Sequence, residues 1–516
     1  MSTWLRRGLV IVLVVTFSKA TALLPAGEAS PSVNAGGTEL WVSRYDGPES
    51  KIDYANTVVE TPDAILPVGV AAASPFSPGD QLWARLYDGA VFRDWDQANA
   101  VTSSPDCSEI FVTGYGRSAM IDDYLTFAYD PSTGAVLWGQ RYDGPSHEED
   151  QARAIAVSPD GSKVFVTGNS GYYTDFATVA YDAATGSLLW VARYNGLENS
   201  LDWARAIAVS PDGSKVFVTG GSDQNLSQTY DYATVAYDAN DGSKLWVRRY
   251  DSGDYDWPWA IAASPDSTKV FVTGWVGGYS TTGDYGTVAY DAATGDELWA
   301  KRYDGTGHGE DHGQAIVTSP DGSAVYVTGH STGATSGQDY VTLAYEAATG
   351  RRVWLRRFTG PGYQTDDAEA MAISPDGSEL FVTGDSRSVI ADYATVAYVA
   401  ATGQRLWVQR YKPPPRKGSE GANAVAVSPD GSNVFVTGRS CGPPTETCDY
   451  GTISYDARSG KFRWLAIYAG SGRAGIFDEP TDIAVSHDGS KVFVTGYVHA
   501  QIFYLDADWA TVAYEA

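Results

Sequence analysis

The chain has 516 residues, with 63 Asp and Glu against 36 Lys and Arg, a net charge of −27 and 43% apolar content. That length exceeds what a single hydrophobic core supports, so the chain needs several domains or a repeat array. The charge excludes nucleic acid and anionic membrane as main partners, because phosphate binding takes clustered Lys and Arg.

At the N-terminus, Arg6 and Arg7 precede the apolar run "GLVIVLVVTF" (8–17), and Ala20-Thr21-Ala22 follows. This is the pattern of an export signal peptide over residues 1–22. The run falls short of the roughly 20 apolar residues that span a bilayer. The expectation is a mature protein that is secreted or held in the cell envelope, without stable membrane insertion. Residues 23–38 read as a disordered linker, and 39–516 as one repeat domain whose first unit, 39–80, is degenerate.

The phrase "SPDGSKVFVTG" stands at 158–168 and again at 210–220. Ser-Pro-Asp recurs from Ser104, Ser158, Ser210, Ser264, Ser319, Ser374 and Ser428, with Thr61 before them and Ser486-His487-Asp488 after. A period near 50 residues signals a solenoid or propeller. Each unit holds four β-like runs, in residues 204–250 "ARAIAVS", "KVFVTG", "YATVAYD" and "LWVRRY". They are rich in Val, Ile, Tyr, Trp and Thr, and Pro-Asp-Gly or Thr-Gly turns separate them. No segment keeps a helical apolar period. The fold class is therefore all-β, a β-propeller of four-stranded antiparallel blades.

The last unit ends at "DWATVAYEA" (508–516) without a fourth strand, while the expected mature chain begins with an orphan fourth strand, "ELWVSRYDG" (39–47). The ring should close by pairing the two ends, which also removes exposed sheet edges. Eight regular units predict eight blades, closed by residues 81–88. The alternative is nine, with a short first blade, because "DYANTVVETPD" (53–63) aligns with "DWARAIAVSPD" (202–212).

Between third and fourth strands the sequence reads "AYDAATGSLLW" (180–190) and "AYDAATGDELW" (289–299), with the Trp recurring at 41, 83, 138, 190, 246, 299, 354, 407 and 464. This resembles the tryptophan-docking repeat of the quinoprotein (PQQ-like) propellers, and the wider pattern over 81–516 resembles SBBP-type propeller repeats. The resemblance implies the fold. Quinoprotein dehydrogenases also carry adjacent cysteines and a calcium site with a catalytic Asp. Here the cysteines lie at 107, 441 and 448, so no catalytic residue is carried over and PQQ is not expected as a cofactor. Cys441 and Cys448 flank one loop and are expected to pair, leaving Cys107 as a substituted turn residue.

Residues present in every unit serve the unit. The acidic residue eight positions before each Ser or Thr of the turn motif (Asp53, Asp96, Asp150, Asp202, Asp256, Asp311, Asp366, Glu420, Asp478) is read as a backbone cap at the strand entrance. No D-x-D-x-D-G calcium loop accompanies it. The A–B and C–D turns are short and uniform at one end of each blade. The D–A and B–C loops vary, and a binding site belongs at their end or in the channel mouth. Three consecutive units stand out there. Trp203, Tyr255, Trp257, Trp259, Trp275 and Tyr279 form a candidate ligand-binding aromatic set, suited to stacking on sugars or gripping a peptide. His308, His312 and His330 form a candidate divalent-metal site beside Glu310 and Asp311. No G-x-S-x-G, H-E-x-x-H or phosphate loop is present. The leading expectation is a monomeric, non-enzymatic binding or scaffold propeller for extracellular carbohydrate or protein. The alternatives are an extracellular enzyme (a cryptic quinoprotein, or a polysaccharide hydrolase or lyase) and a cell-envelope assembly scaffold.

Overall fold

The computed structural model describes residues 76–516, apart from 88–94, 119–120, 172–173, 198–199, 224–228, 279–281, 362–363, 388–390, 413–419, 443–446, 471–476 and 500–506. The expected signal peptide (1–22) and linker (23–38), residues 39–75 of the expected degenerate repeat, and Tyr279 lie outside the described residues. Within them the protein is all-β. Thirty-two strands form eight separate four-stranded antiparallel sheets. Seven blades are contiguous, with strands A to D in sequence order: 97–142, 150–194, 202–250, 257–303, 311–358, 366–411 and 421–468. The eighth takes strands A to C from 479–515 and its fourth from Gln81–Tyr87, which pairs antiparallel with Ala507–Glu515. The ring thus has eight blades rather than nine, and its two ends meet within one sheet. Strand A of each blade packs against strand A of the next all the way round, so these strands form the wall of the central channel.

The core is divided among the blade interfaces. Eight hydrophobic clusters occur, one between each neighbouring pair. The one between blades 2 and 3 joins Phe165, Phe176 and Trp190 to Val216, Val218 and Tyr237. A strand that is apolar on both faces can be buried this way only between two sheets, which explains the near-continuous "VFV" and "ATVAY" runs.

The repeated Trp carries the interlock. Trp138, Trp246, Trp299 and Trp354 donate Nε1–H to the carbonyls of Ala183, Ala292, Ala347 and Ala400 in the next blade, at 2.6, 3.1, 3.0 and 2.9 Å. Each ring lies on a turn glycine of that blade. Gly186, for example, has φ +69°, and a Cβ there would come within 2.6 Å of Trp138. Glycine is required for both the turn and the contact. The same geometry spans the closure. Gly79 has φ +89° and covers Trp464, its N–H donating to Glu515 O at 2.8 Å, while Glu515 N–H returns to Asp80 O at 2.9 Å. One C–D turn is therefore built from both ends of the sequence.

At the same end, the Ser-Pro-Asp-Gly-Ser turn closes on itself. Ser158 Oγ donates to Asp160 at 2.5 Å, and Lys163 N–H donates to Ser158 Oγ at 2.9 Å. Hydrogen bonds from Ser158 and Ser162 hold the Asp160 carboxyl down to about 2. Cys107 takes the glycine place with φ 62°, and Asp488 N–H of the preceding blade donates to its Sγ at 3.2 Å. Cys441 and Cys448 face each other across strands B and C of blade 7 and form the expected disulfide.

Candidate functional site

At the opposite end the repeated acid is buried in every blade, and it caps backbone. Asp150, Asp202, Asp311 and Asp366 accept from Gly144, Gly196, Gly305 and Gly360 N–H at 2.6, 2.5, 2.5 and 2.6 Å. Burial pushes Asp202 and Asp256 up to about 6 and Glu420 up to about 7. A second repeated element stands beside the caps. Arg193, Arg249, Arg357 and Arg410 of strand D pair with Asp175, Asp231, Asp339 and Asp392 at 3.1, 2.8, 2.7 and 2.9 Å. Arg141 and Arg302 pair likewise with Asp123 and Asp284. The signal was an Asp and an Arg always 18 residues apart. Three carboxylate groups, Asp123/Asp143/Asp150, Asp231/Asp251/Asp256 and Asp284/Asp304/Asp311, bring oxygens within 4.8 Å of one another and have the donor chemistry to hold a cation. Each already contains an Arg-paired Asp.

The residues that differ between blades form two layers nearer the axis. In the outer layer, the residue after each acid faces its cross-strand partner on strand B: Gln97·Tyr115, Gln151·Asn169, Trp203·Gly221, Trp257·Trp275, His312·His330, Asp367·Asp385, Gly421·Arg439 and Glu479·Tyr497. Several of these also match the blade before. Trp257 lies over Gly221, where a Cβ would come within 2.6 Å of its ring. His312 stacks on Trp275 with ring centroids 4.7 Å apart, and on His330 at 4.5 Å. His330 Nδ1 bonds Asp367 of the next blade, and Arg439 pairs with Glu479 at 3.7 Å. Burial works against a charged His330, but Asp367 outweighs it and pushes the imidazole up. Burial and the neighbouring His330 hold His312 down to about 4.

The inner layer lies at a β-bulge in strand A, which leaves one residue per blade outside the ladder: Asn99, Arg153, Arg205, Trp259, Gln314, Glu369, Asn423 and Thr481. Arg205 and Glu369 are three blades apart round the ring and still influence each other electrostatically, in keeping with side chains on the channel-lining strands that look across its axis. These side chains therefore face the bore. Arg205 is solvent-exposed there and still surrounded by protein, with its guanidinium 4.1 Å from the centre of the Trp259 ring. Burial and then Arg153 lower Arg205 to about 10. Burial, followed by Asp367 and Asp385, raises Glu369 to about 8.

Of the expected aromatic set, the described members lie near one another, while Tyr279 is outside the described residues. Tyr255 and Trp257 stack at 6.1 Å, Tyr255 and Trp275 lie 5.2 Å apart, and Tyr230 meets Trp257 edge-on at 5.2 Å. Trp203 sits next round the ring, and Trp259 lies one layer down. The three predicted histidines do not all meet. His312 and His330 stack, whereas His308 is exposed on its loop with φ 48° and turns Nδ1 to Asp304 at 2.7 Å. His147 does the same with Asp143 at 2.7 Å, which marks His308 as a loop residue with a twin. Sequence reasoning missed the bore layer. Its signal was the one variable letter before "AIAV" in each unit.

The eight-bladed ring, with a tryptophan docked on each following turn, defines a β-propeller of PQQ-like repeats. The family profile described as "Outer membrane protein assembly factor BamB" matches residues 122–273 and 234–500, and the protein belongs to that family. Among solved structures, Sqt1 of Chaetomium thermophilum is 15% identical at a TM-score of 0.56, covering 85% of this chain and 99% of its own. A quinohemoprotein alcohol dehydrogenase from Pseudomonas putida HK5 is 13% identical at 0.51, covering 84% and 76%. BamB from Moraxella catarrhalis is 14% identical at 0.45, covering 84% and 99%. At these identities the likeness is one of fold. No curated protein matches the sequence. No helix among the described residues is long and apolar enough to cross a membrane.

Proposed function

We propose that this protein is an exported binding propeller of the assembly-factor type that takes up a polypeptide at its variable end. The family's description, an outer membrane protein assembly factor, agrees with that reading. One observation carries it: variation between blades is concentrated at the loop end, where Trp203, Tyr255, Trp257 and Trp275 gather half-buried. Trp and Tyr in such settings anchor protein interfaces. Carbohydrate is the weaker ligand, because stacking on a sugar needs an open ring face. Here Trp275 is covered by His312, Trp259 by Arg205, and Trp257 packs on Gly221 and Tyr230.

The test is photo-cross-linking in cells, with a photoreactive residue at Tyr255 and, as control, at exposed Asn240 on the uniform end. Polypeptide adducts from Tyr255 alone are expected, and the captured polypeptide should bind purified Trp257→Ala protein about 30-fold more weakly. Equal adducts from both positions, or retention on polysaccharide in place of polypeptide, would overturn the reading.

A further inference from the structure

The bulge residues of the bore divide into two groups. In blades 7, 8 and 1 they latch neighbouring blades together. Asn423 Nδ2 donates to Pro480 O at 2.7 Å, Thr481 Oγ1 to Ala98 O at 2.9 Å, and Asn99 Nδ2 to Ala152 O at 2.6 Å. Each reaches the carbonyl just before the bulge of the following blade. In blades 2 to 6 the same position holds Arg153, Arg205, Trp259, Gln314 and Glu369, and none of them makes this latch.

The two arginines differ from the repeated arginines of strand D. Six strand-D arginines each sit on an Asp. Among the described residues Arg153 and Arg205 form no ion pair, although acidic residues outnumber basic ones 63 to 36. Arg153 Nη2 donates to Gln151 Oε1 at 2.6 Å, and the Arg205 guanidinium lies over the Trp259 ring. Two guanidiniums in adjacent blades repel each other, and their forked donors match a carboxylate. Beside them, Trp259 Nε1 is buried with no acceptor among the described residues, and the Gln314 amide is unengaged by them. Across the bore the Glu369 carboxyl makes no hydrogen bond or ion pair with any described residue. With both guanidiniums lacking a carboxylate partner, that wall favours a ligand that brings a negative group flanked by N–H donors. Polypeptide has that composition.

We propose that the bore of blades 2 to 6 binds a carboxylate of a polypeptide, gripped by Arg153 and Arg205 with Glu369 opposite. This rests on reading the variable end as a polypeptide site, and it names the group recognised. The carboxylate has two sources, an Asp or Glu side chain and a free C-terminus.

The test is fluorescence anisotropy on the whole protein with three labelled Gly-Ser peptides. One bears two Asp and an amidated C-terminus, one has no Asp and a free C-terminus, and one bears two Lys and an amidated C-terminus. One or both carboxylate peptides should bind, which identifies the source, and the Lys peptide should not. Arg205→Gln and Arg153→Gln should each weaken binding about 10-fold, and Glu369→Gln should strengthen it at pH 9, where the Glu369 carboxyl, held up to about 8, is ionised. Failure of both carboxylate peptides to bind overturns the inference. So does unchanged affinity in both Arg variants, provided they melt like wild type, or stronger competition by inorganic phosphate than by acetate. A cross-linked partner that survives both Arg variants but is lost in Trp257→Ala overturns this inference and keeps the mouth as the polypeptide site. Arg-dependent peptide binding without any cross-linked partner does the reverse.

Discussion

The two ends of this ring handle repetition in opposite ways. At the turn end every blade makes the same contacts: a serine–aspartate lock within the turn, and a tryptophan laid on the next blade's glycine. At the loop end, one position per blade is Gln, Trp, His, Asp, Gly or Glu, and several of these choices suit the residue they meet. Trp257 needs Gly221 beneath it, His312 stacks on Trp275, and Asp367 answers His330. Variation at a surface therefore does not by itself mark a ligand site. Much of it here is blade-to-blade fit, and the bore residues point to a ligand through the polar groups their neighbours leave unmet, as at Trp259 Nε1.

The sharpest way to break this comparison is at the turn end. Trp299→Ala removes a buried ring and its bond to Ala347, and should cost about 3–5 kcal/mol in denaturant unfolding. A loss below about 1 kcal/mol would mean that the repeated tryptophan does not hold the blades. At the loop end, Gly221→Val drives a side chain into Trp257 and should cost about 1–3 kcal/mol. In a Trp257→Ala background the same change should cost almost nothing, because the two sites are coupled. Additive losses would show that the pair is not matched.

The smallest effect is one of pH. Glu369 is held up to about 8 and Asp385 to about 7, both chiefly by burial, whereas in the unfolded protein they titrate near 4. The folded state then binds protons more tightly, so these groups add stability as pH falls through 8 and 7 toward 4. His312, held down to about 4, acts oppositely: its contribution is complete above about 6.5 and is lost as pH falls toward 4. Between pH 8.5 and 7 the melting temperature should therefore rise on acidification, and Glu369→Gln should shrink that rise. An identical slope in the variant would place Glu369 outside the coupling. Glu420, near 7, leaves a residual slope in both proteins.

The turn end was legible because each of its contacts recurs. Nine appearances of Trp and a glycine at constant spacing left little choice but a docked ring. The acid ring was legible for the same reason, as a capping group. The loop end was legible only as a location. Sequence placed His308, His312 and His330 near one another, but a left-handed backbone at His308 turns its ring to Asp304. Nothing in the letters "AIAV" announces a bulge, and without the bulge Arg205 and Glu369 have no reason to face each other across the bore. The Arg–Asp pairs repeat as regularly as the tryptophans. They were overlooked because their two letters sit on strands separated by a turn.

The closing sheet has a consequence for the order in which the molecule is made. Seven blades each come from one uninterrupted stretch of polypeptide and can form as it emerges. The strand Gln81–Tyr87 must wait, unpaired, until Ala507–Glu515 has been synthesised. The wait carries little entropic cost at the end, because loop closure grows only logarithmically with length and stacked blades already bring the ends together. A polypeptide stopped before Ala507 would lose more than one strand. Trp464 would lose the turn it docks on, Trp83 would keep Pro131 and Gly134 but sit on a strand with no sheet partner, and the circle would become an open arc with two sticky edges.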